Sequence, residues 1–426
     1  MPTAYGTKGQ VVRVYAESAL GTQSTEYGEI RYNDCEIKIE EKQSVEQPNT
    51  GHDNWADVSD RPVRYNGYMA DAVSVSAHLR SGAAATDKPP IIEFFEAAGM
   101  TSVTNVADTV ATGGSGTIVL TTGGATEAAP GMVLGVALPT YGYFPMLVGD
   151  NTAKTVTPVM DLPEAAAGSS SKCCKMFTVY PYSQAVSATA TLQFAKFTMG
   201  QHTTAPDLAI TAAGCAMTKI DPIVIEHGKP VELKLSFGAT SVAISNVALP
   251  TPAFIDSEKF QVIGGFFDHG ASATTRGAVA GLTYASAALI KAEIDLGISV
   301  TPIPGNGAST CVSGIQGYWS QVSNPKVTIT RLHTSQVEMN KWKETVAEAP
   351  YYFHFVQPSA NTSNPMWGIF CPCCYIDGSP VIDFKGADYI TSTTTYAMSS
   401  PRLDNATEAP NTASTVPWYF GIGLPA

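Results

Sequence analysis

The stretch Ala72-Val-Ser-Val-Ser-Ala-His-Leu-Arg-Ser-Gly-Ala-Ala-Ala-Thr-Asp-Lys-Pro-Pro-Ile-Ile-Glu-Phe-Phe-Glu-Ala-Ala-Gly99 decides the reading of the fold. Val73, Val75, Ala77 and Leu79 alternate with Ser74, Ser76, His78 and Arg80, the period-two pattern of a half-buried strand. A loop of small residues leads into a helix over 88–99. Asp87 is placed to cap it, Pro89 and Pro90 suit its first turn, and Gly99 can take the left-handed conformation that ends it. Ile91, Ile92, Phe94, Phe95 and Ala98 form an apolar stripe that must lie on a sheet.

Strand signals dominate outward from there, at Val11 to Val14, 35–42, 191–197, 231–237, 260–267, 290–300, 326–331 and 351–356. The run from Ile290 to Val300 is the longest clean alternation and predicts one strand with one wet face. A second helix is expected over 336–349. Ser335-Gln-Val-Glu338 makes a capping box, Met339, Trp342 and Val346 share a face, and Pro350 stops it. The chain therefore reads as mainly β.

Residues 104–181 are sparse in charge, with eight Asp, Glu and Lys residues, and punctuated by Gly and Pro. Four short strand signals there predict a small open barrel, an inserted subdomain tolerant of replacement. Segment 43–68 is long for a loop inside a compact domain. Glu46, Asp53, Asp57 and Asp60 precede its first cation, Arg61, with Trp55 among the acids. An aromatic anchor between opposite charges suits docking on a partner, with Trp55, Asp57 and Arg61 as the contacts; a flexible surface hairpin is the plainer reading. The tail 391–426 ends in Trp418-Tyr-Phe-Gly-Ile-Gly-Leu-Pro-Ala426, which either finishes the chain's own sheet or docks on a neighbour.

Charged residues are 15% of the 426, against roughly 25% in an ordinary soluble domain. Ala, Thr, Ser and Gly fill the gap, as suits a subunit that covers its surface with copies of itself, although Thr-rich β monomers share the trait. The net charge of −12 without a basic run argues against a protein that grips nucleic acid. No leader pattern opens the chain and no window of about eighteen apolar residues occurs. The expectation is assembly in a cytoplasm with no membrane partner.

Cys371-Pro-Cys-Cys374 and Cys173-Cys174 are the only cysteine clusters. One such spacing without a second ligand pair predicts reduced core thiols in a buried strand rather than zinc. The seven histidines form no metal frame. Glu40-Glu41 reads as a solvated face, and neither a nucleophile elbow nor a phosphate-cradling loop is present. No catalytic residue, cofactor or metal is expected, and the chain does not read as an enzyme.

The order of parts resembles the tail tube (major tail) proteins of tailed bacteriophages. In that family an alternating strand passes through a Gly/Ala-rich loop into a Pro-started helix ending in Ala-(Ala/Cys)-Gly, as at 72–99. A second likeness runs from Leu208 through Gly214-Cys215 and the Gly228-Lys-Pro230 turn to Gly238, where the family closes a hairpin. The third is Asn324-Pro-Lys-Val-Thr-Ile-Thr330, the strand before the last helix. The resemblance implies an antiparallel β-sandwich/barrel core with two short flanking helices and an inserted small β-barrel subdomain. It divides the chain at 1–103, 104–181, 182–390 and a C-terminal extension 391–426. Six copies would form a ring whose inner strands make one continuous barrel, and rings would stack, through the loop at 43–68, into a hollow tube that guides DNA. The implied partners are further copies, the tape measure, the terminator and, in contractile particles, the sheath, in the tail of a virion. Alternatives from the same composition are a head decoration or capsid-associated sandwich, and a carbohydrate-binding or adhesin-like module. Against the last stands the dispersal of Trp55, Trp319 and Trp367 along the chain.

Overall fold

A computed structural model describes residues 10–38, 43–46, 63–66, 71–79, 88–168, 171–181, 184–186, 189–196, 207–226, 228–247, 266–270, 289–305, 315–332, 351–362, 364–378, 381–383, 390–399 and 416–425. They form a mainly β protein of antiparallel sheets and a closed barrel. The predicted helix at 336–349 lies outside the described residues.

Two long strands organise the first sheet. Thr22–Lys38 pairs with Gln10–Ala19 through its first half and with Asp71–His78 through its second, changing partner at an irregularity between Tyr32 and Asp34. Asp207–Ile220 likewise pairs with Ala190–Lys196 and then with Glu232–Ala239. Since Ala190–Lys196 also pairs with Gln10–Ala19, the path of hydrogen-bonded strands returns on itself, and Ser241–Val247 is added outside it. Bulged long strands that change partner are how a twisted sheet turns a corner. Glu232–Ala239 has no partner in Ile223–Glu226, contrary to the hairpin expected there; after Asp221 the chain crosses to the second sheet and pairs with Leu289–Asp295.

The second sheet runs Ile223–Glu226, Leu289–Asp295, Lys326–Leu332, Thr391–Met398, Met366–Ile376, Tyr419–Gly423, Phe177–Tyr180, Thr101–Thr104. The stretch read as a C-terminal extension thus supplies two inner strands, and the aromatic terminus finishes the chain's own sheet. The alternation at 290–300 is not one strand. It breaks at Leu296-Gly297, where Gly297 takes φ +65° and a Cβ would stand 2.4 Å from the Ser323 carbonyl oxygen. Leu289–Asp295 stays in the second sheet, while Ile298–Pro304 joins Ile315–Val322 and Gln184–Ala185 in a separate three-stranded sheet. The Trp418 indole donates to the Leu296 carbonyl at the break (3.0 Å), so the C-terminal strand also satisfies the kink.

The expected first helix is present and shorter, Pro90–Glu96, with Pro89 rather than Asp87 at its N-cap and Gly99 (φ +76°) closing it. Seven residues are too few for a stable isolated helix. Packing holds this one: Phe94 lies 5.2 Å from Phe237 of the first sheet, and Phe95 lies 5.3 Å from Phe420 of the second. With Ile91 and Ile92 also buried, four side chains contribute roughly 1.5–3 kcal/mol each.

The barrel between Thr101–Thr104 and Phe177–Tyr180 is closed rather than open, and has six strands rather than four. They are Asp108–Thr112, Ile118–Leu120, Val133–Leu138, Gly142–Thr152, Thr155–Pro158 and Ser171–Cys174. A one-turn helix that the sequence did not announce, Ala125–Ala128, lies within this stretch. The flanking strands pair with each other, Thr104 opposite Phe177, so the chain leaves and re-enters the sheet at one point. Asn105 ties the two crossings, donating to the Cys174 carbonyl (3.2 Å) and accepting from the Met176 amide (2.7 Å).

Candidate assembly surface

The three residues expected to make contacts, Trp55, Asp57 and Arg61, lie outside the described residues. Their segment has more structure at its base than a loop: Gln43–Glu46 and Val63–Asn66 pair as an antiparallel ribbon, Gln43 opposite Asn66 and Glu46 opposite Val63.

A surface that the sequence reading missed is the edge strand Ser241–Val247. Its sequence, Ser-Val-Ala-Ile-Ser-Asn-Val, has no charge and no proline, and among the described residues only Asp207–Ile220 pairs with it. Edge strands ordinarily carry a charge, a proline or a bulge that prevents templated pairing. The edge strand Ile298–Pro304 has that protection in Pro302 and Pro304; Ser241–Val247 lacks it.

The apolar row beneath this edge is continuous. Val12 pairs with Phe194, Phe194 with Ile210, and Ile210 with Ile244, on one face of four adjacent strands. Val12 and Phe194 are buried, Ile210 is half-buried, and Ile244 is 63% exposed. The core thus runs outward to an exposed isoleucine on a strand whose other side pairs with nothing among the described residues. Only the alternation of this short strand hinted at it, and alternation does not say whether a strand is an edge.

The strands behind the edge are pinned by polar contacts. Glu17, buried, accepts from the Gly21 and Gly214 amides (2.8 Å each) and from the Thr189 and Thr191 hydroxyls (2.5 Å each). Arg13 and Glu29 pair at 2.7 Å, both buried. The four hydrogen bonds accepted by Glu17 rigidify the strands they join.

Cys371, Cys373 and Cys374 are buried thiols in the all-buried stretch of Met366–Ile376, and burial raises the pKa of Cys373 and Cys374. Among the described residues no three His, Cys, Asp or Glu side chains gather as a metal-holding group. No helix among them is long and apolar enough to cross a membrane.

Where the barrel meets the second sheet, a cavity of about 40 Å³ is lined by Met146, Met160, Asp161 and His354, among others. His354 Nε2 is buried there with no hydrogen-bond partner among the described residues, and burial pushes its pKa down to about 3 from an ordinary 6.5. A base whose folded-state pKa is depressed contributes stability that is full above its unfolded value and is lost as pH falls below it. The melting temperature is therefore expected to fall progressively from about pH 6.5 toward pH 3. His354→Leu should flatten part of that slope; an identical pH dependence in the two proteins would refute the assignment.

Compared with protein-family models and with curated proteins, the sequence matches none of them at a significant level.

Proposed function

We propose that this chain is a structural subunit that assembles through its sheet edges, and specifically a tail tube protein of a long-tailed bacteriophage or a related contractile particle. The observation that carries the reading is the unprotected, uncharged edge Ser241–Val247 at the end of an apolar row. A closed ring of subunits uses up such edges, and closure prevents runaway pairing. The low charge content and the order of the sequence stretches that resemble the family support the same reading. In it, six copies form a ring, rings stack through segment 43–68, and the acidic chain presents DNA with a lumen to which it does not adhere.

Negative-stain microscopy of the purified chain is expected to show six-fold rings or hollow tubes. Ile244→Lys places a charge at the centre of this edge on a side chain that is 63% exposed, so it should leave the melting temperature within a few degrees of wild type while abolishing rings. A monodisperse monomer at high concentration would overturn the assembly reading. Rings of another symmetry would overturn the tail tube assignment alone.

A further inference from the structure

The three-stranded sheet of Gln184–Ala185, Ile315–Val322 and Ile298–Pro304 is separate from the sheet that carries the edge Ser241–Val247. None of its strands contains a charged residue, in a chain that is 15% charged. On its outer face Trp319 is 47% exposed. Its neighbours across the strands are Thr301 on one side and Ala185 on the other, both small. Along its own strand the same face carries Gly317 and the exposed Gln321; a Cβ at Gly317 would meet nothing within 4 Å. The indole is therefore bare on one flank and bordered by an amide and a hydroxyl on others.

The platform is held from below. Tyr318, pointing the opposite way, is buried and its hydroxyl lies within hydrogen-bond distance of the Gly214 (3.0 Å) and Gly238 (3.3 Å) carbonyls. The Val186 amide donates to the Tyr318 carbonyl at 2.9 Å, tying the outer strand to the central one. Pro302 and Pro304 withdraw donors from the Ile298–Pro304 edge, so an added strand is a poor occupant.

An exposed indole on a rigid, charge-free floor, with amide and hydroxyl groups about one strand spacing (~5 Å) or one two-residue step (~7 Å) away, fits a ligand with an apolar face and neutral hydrogen-bonding rim. We propose that this sheet binds a neutral pyranose ring, its C–H face on Trp319 and its hydroxyls toward Gln321 and Thr301. An anionic sugar would find no cation on these three strands, and an apolar peptide would leave the amide and hydroxyl rim unsatisfied.

The test is calorimetric titration of the full-length protein with maltohexaose, cellohexaose and fully N-acetylated chitohexaose, together with tryptophan fluorescence. At least one is expected to bind and shift the emission. Trp319→Ala should weaken binding about tenfold or more, and Trp319→Phe less. Gly317→Leu fills open space beside the indole, so it should block binding while the melting temperature and ring assembly stay at wild type. Absence of binding by all three sugars at ~10 mM would overturn the proposal, since a stacked ring with two hydrogen bonds should register there. Loss of rings in Trp319→Ala without sugar binding by wild type would assign the indole to a protein contact instead. Either failure leaves the edge-strand reading of assembly standing.

Discussion

Replacing Glu17 by alanine is expected to unfold the protein or bring it to the edge of unfolding. The carboxylate lies at the meeting point of three strands and a turn: its own strand Gln10–Ala19, the turn at Gly21, Thr189 and Thr191 at the start of Ala190–Lys196, and Gly214 in Asp207–Ile220. Gly214 takes φ +60°, and its amide depends on Glu17 for an acceptor. Truncation leaves three buried donors, the Gly214 amide and the Thr189 and Thr191 hydroxyls, facing a cavity, with the Gly21 amide at an exposed turn. Hydrogen bonds to a charged group are worth roughly 1.5–3 kcal/mol each, and an orphaned buried donor costs about 1–3 kcal/mol. Even with generous relaxation the sum is about 4 kcal/mol or more, against a typical total stability of roughly 5–15 kcal/mol. Glu17→Gln keeps the shape but turns an amide NH₂ toward two of the donors, and should cost about half as much. Urea denaturation with Glu36→Gln, an exposed acid on the strand Thr22–Lys38, as the control would measure both. A Glu17→Ala midpoint close to wild type would show that the network does not hold these strands.

Glu17 also marks where the sequence misleads. In Val11-Val-Arg-Val-Tyr-Ala-Glu17 the alternation reads as one apolar and one wet face, yet Arg13, Tyr15 and Glu17 are all buried. Polar side chains that face each other across strands look the same in sequence as polar side chains that face water. The helix at Pro90–Glu96 was legible because its caps and stripe are local. The break at Gly297 was not, because the side-chain period runs through it unbroken: Ala292, Ile294, Leu296, Ile298 and Val300 are all buried although the backbone changes sheets. The place of the terminus in the second sheet depends on Met366–Phe370 and on Phe177–Val179, both remote in sequence, which periodicity cannot encode. The candidate edge was illegible for the same reason, since being an edge is a property of what does not pair.

The closed barrel carries the largest expected effect of any change. From its composition it reads as a tolerant insertion on the outside, and replacing it with a short Gly/Ser linker ought then to be harmless. Its core is instead shared with the second sheet: Met366, Phe370 and Tyr419 of that sheet, and Val356 of the strand Tyr351–Gln357 that pairs with Met366–Ile376, belong to the same apolar cluster as Val133, Leu134, Leu147 and Val156 of the barrel. Gly135 lets the Met366 side chain pass and Gly421 does the same for Val133, contacts that a Cβ at either position would obstruct. The Thr178 hydroxyl accepts the Val133 amide at 2.8 Å inside the junction. Joining Thr104 to Phe177, which already face each other, imposes no strain on the strands. It does strip four fully buried side chains, at roughly 1.5–3 kcal/mol each, which together rival the stability of a whole domain. The deletion is therefore expected to yield aggregates or a dye-binding, non-cooperatively melting chain rather than rings. Adding Met366→Thr and Phe370→Thr to the deletion should recover solubility in part, because it removes the exposed apolar patch rather than the lost packing. Cooperative melting and normal rings from the deletion alone would show that the sheet stands without the barrel, and that the shared cluster is contact without consequence.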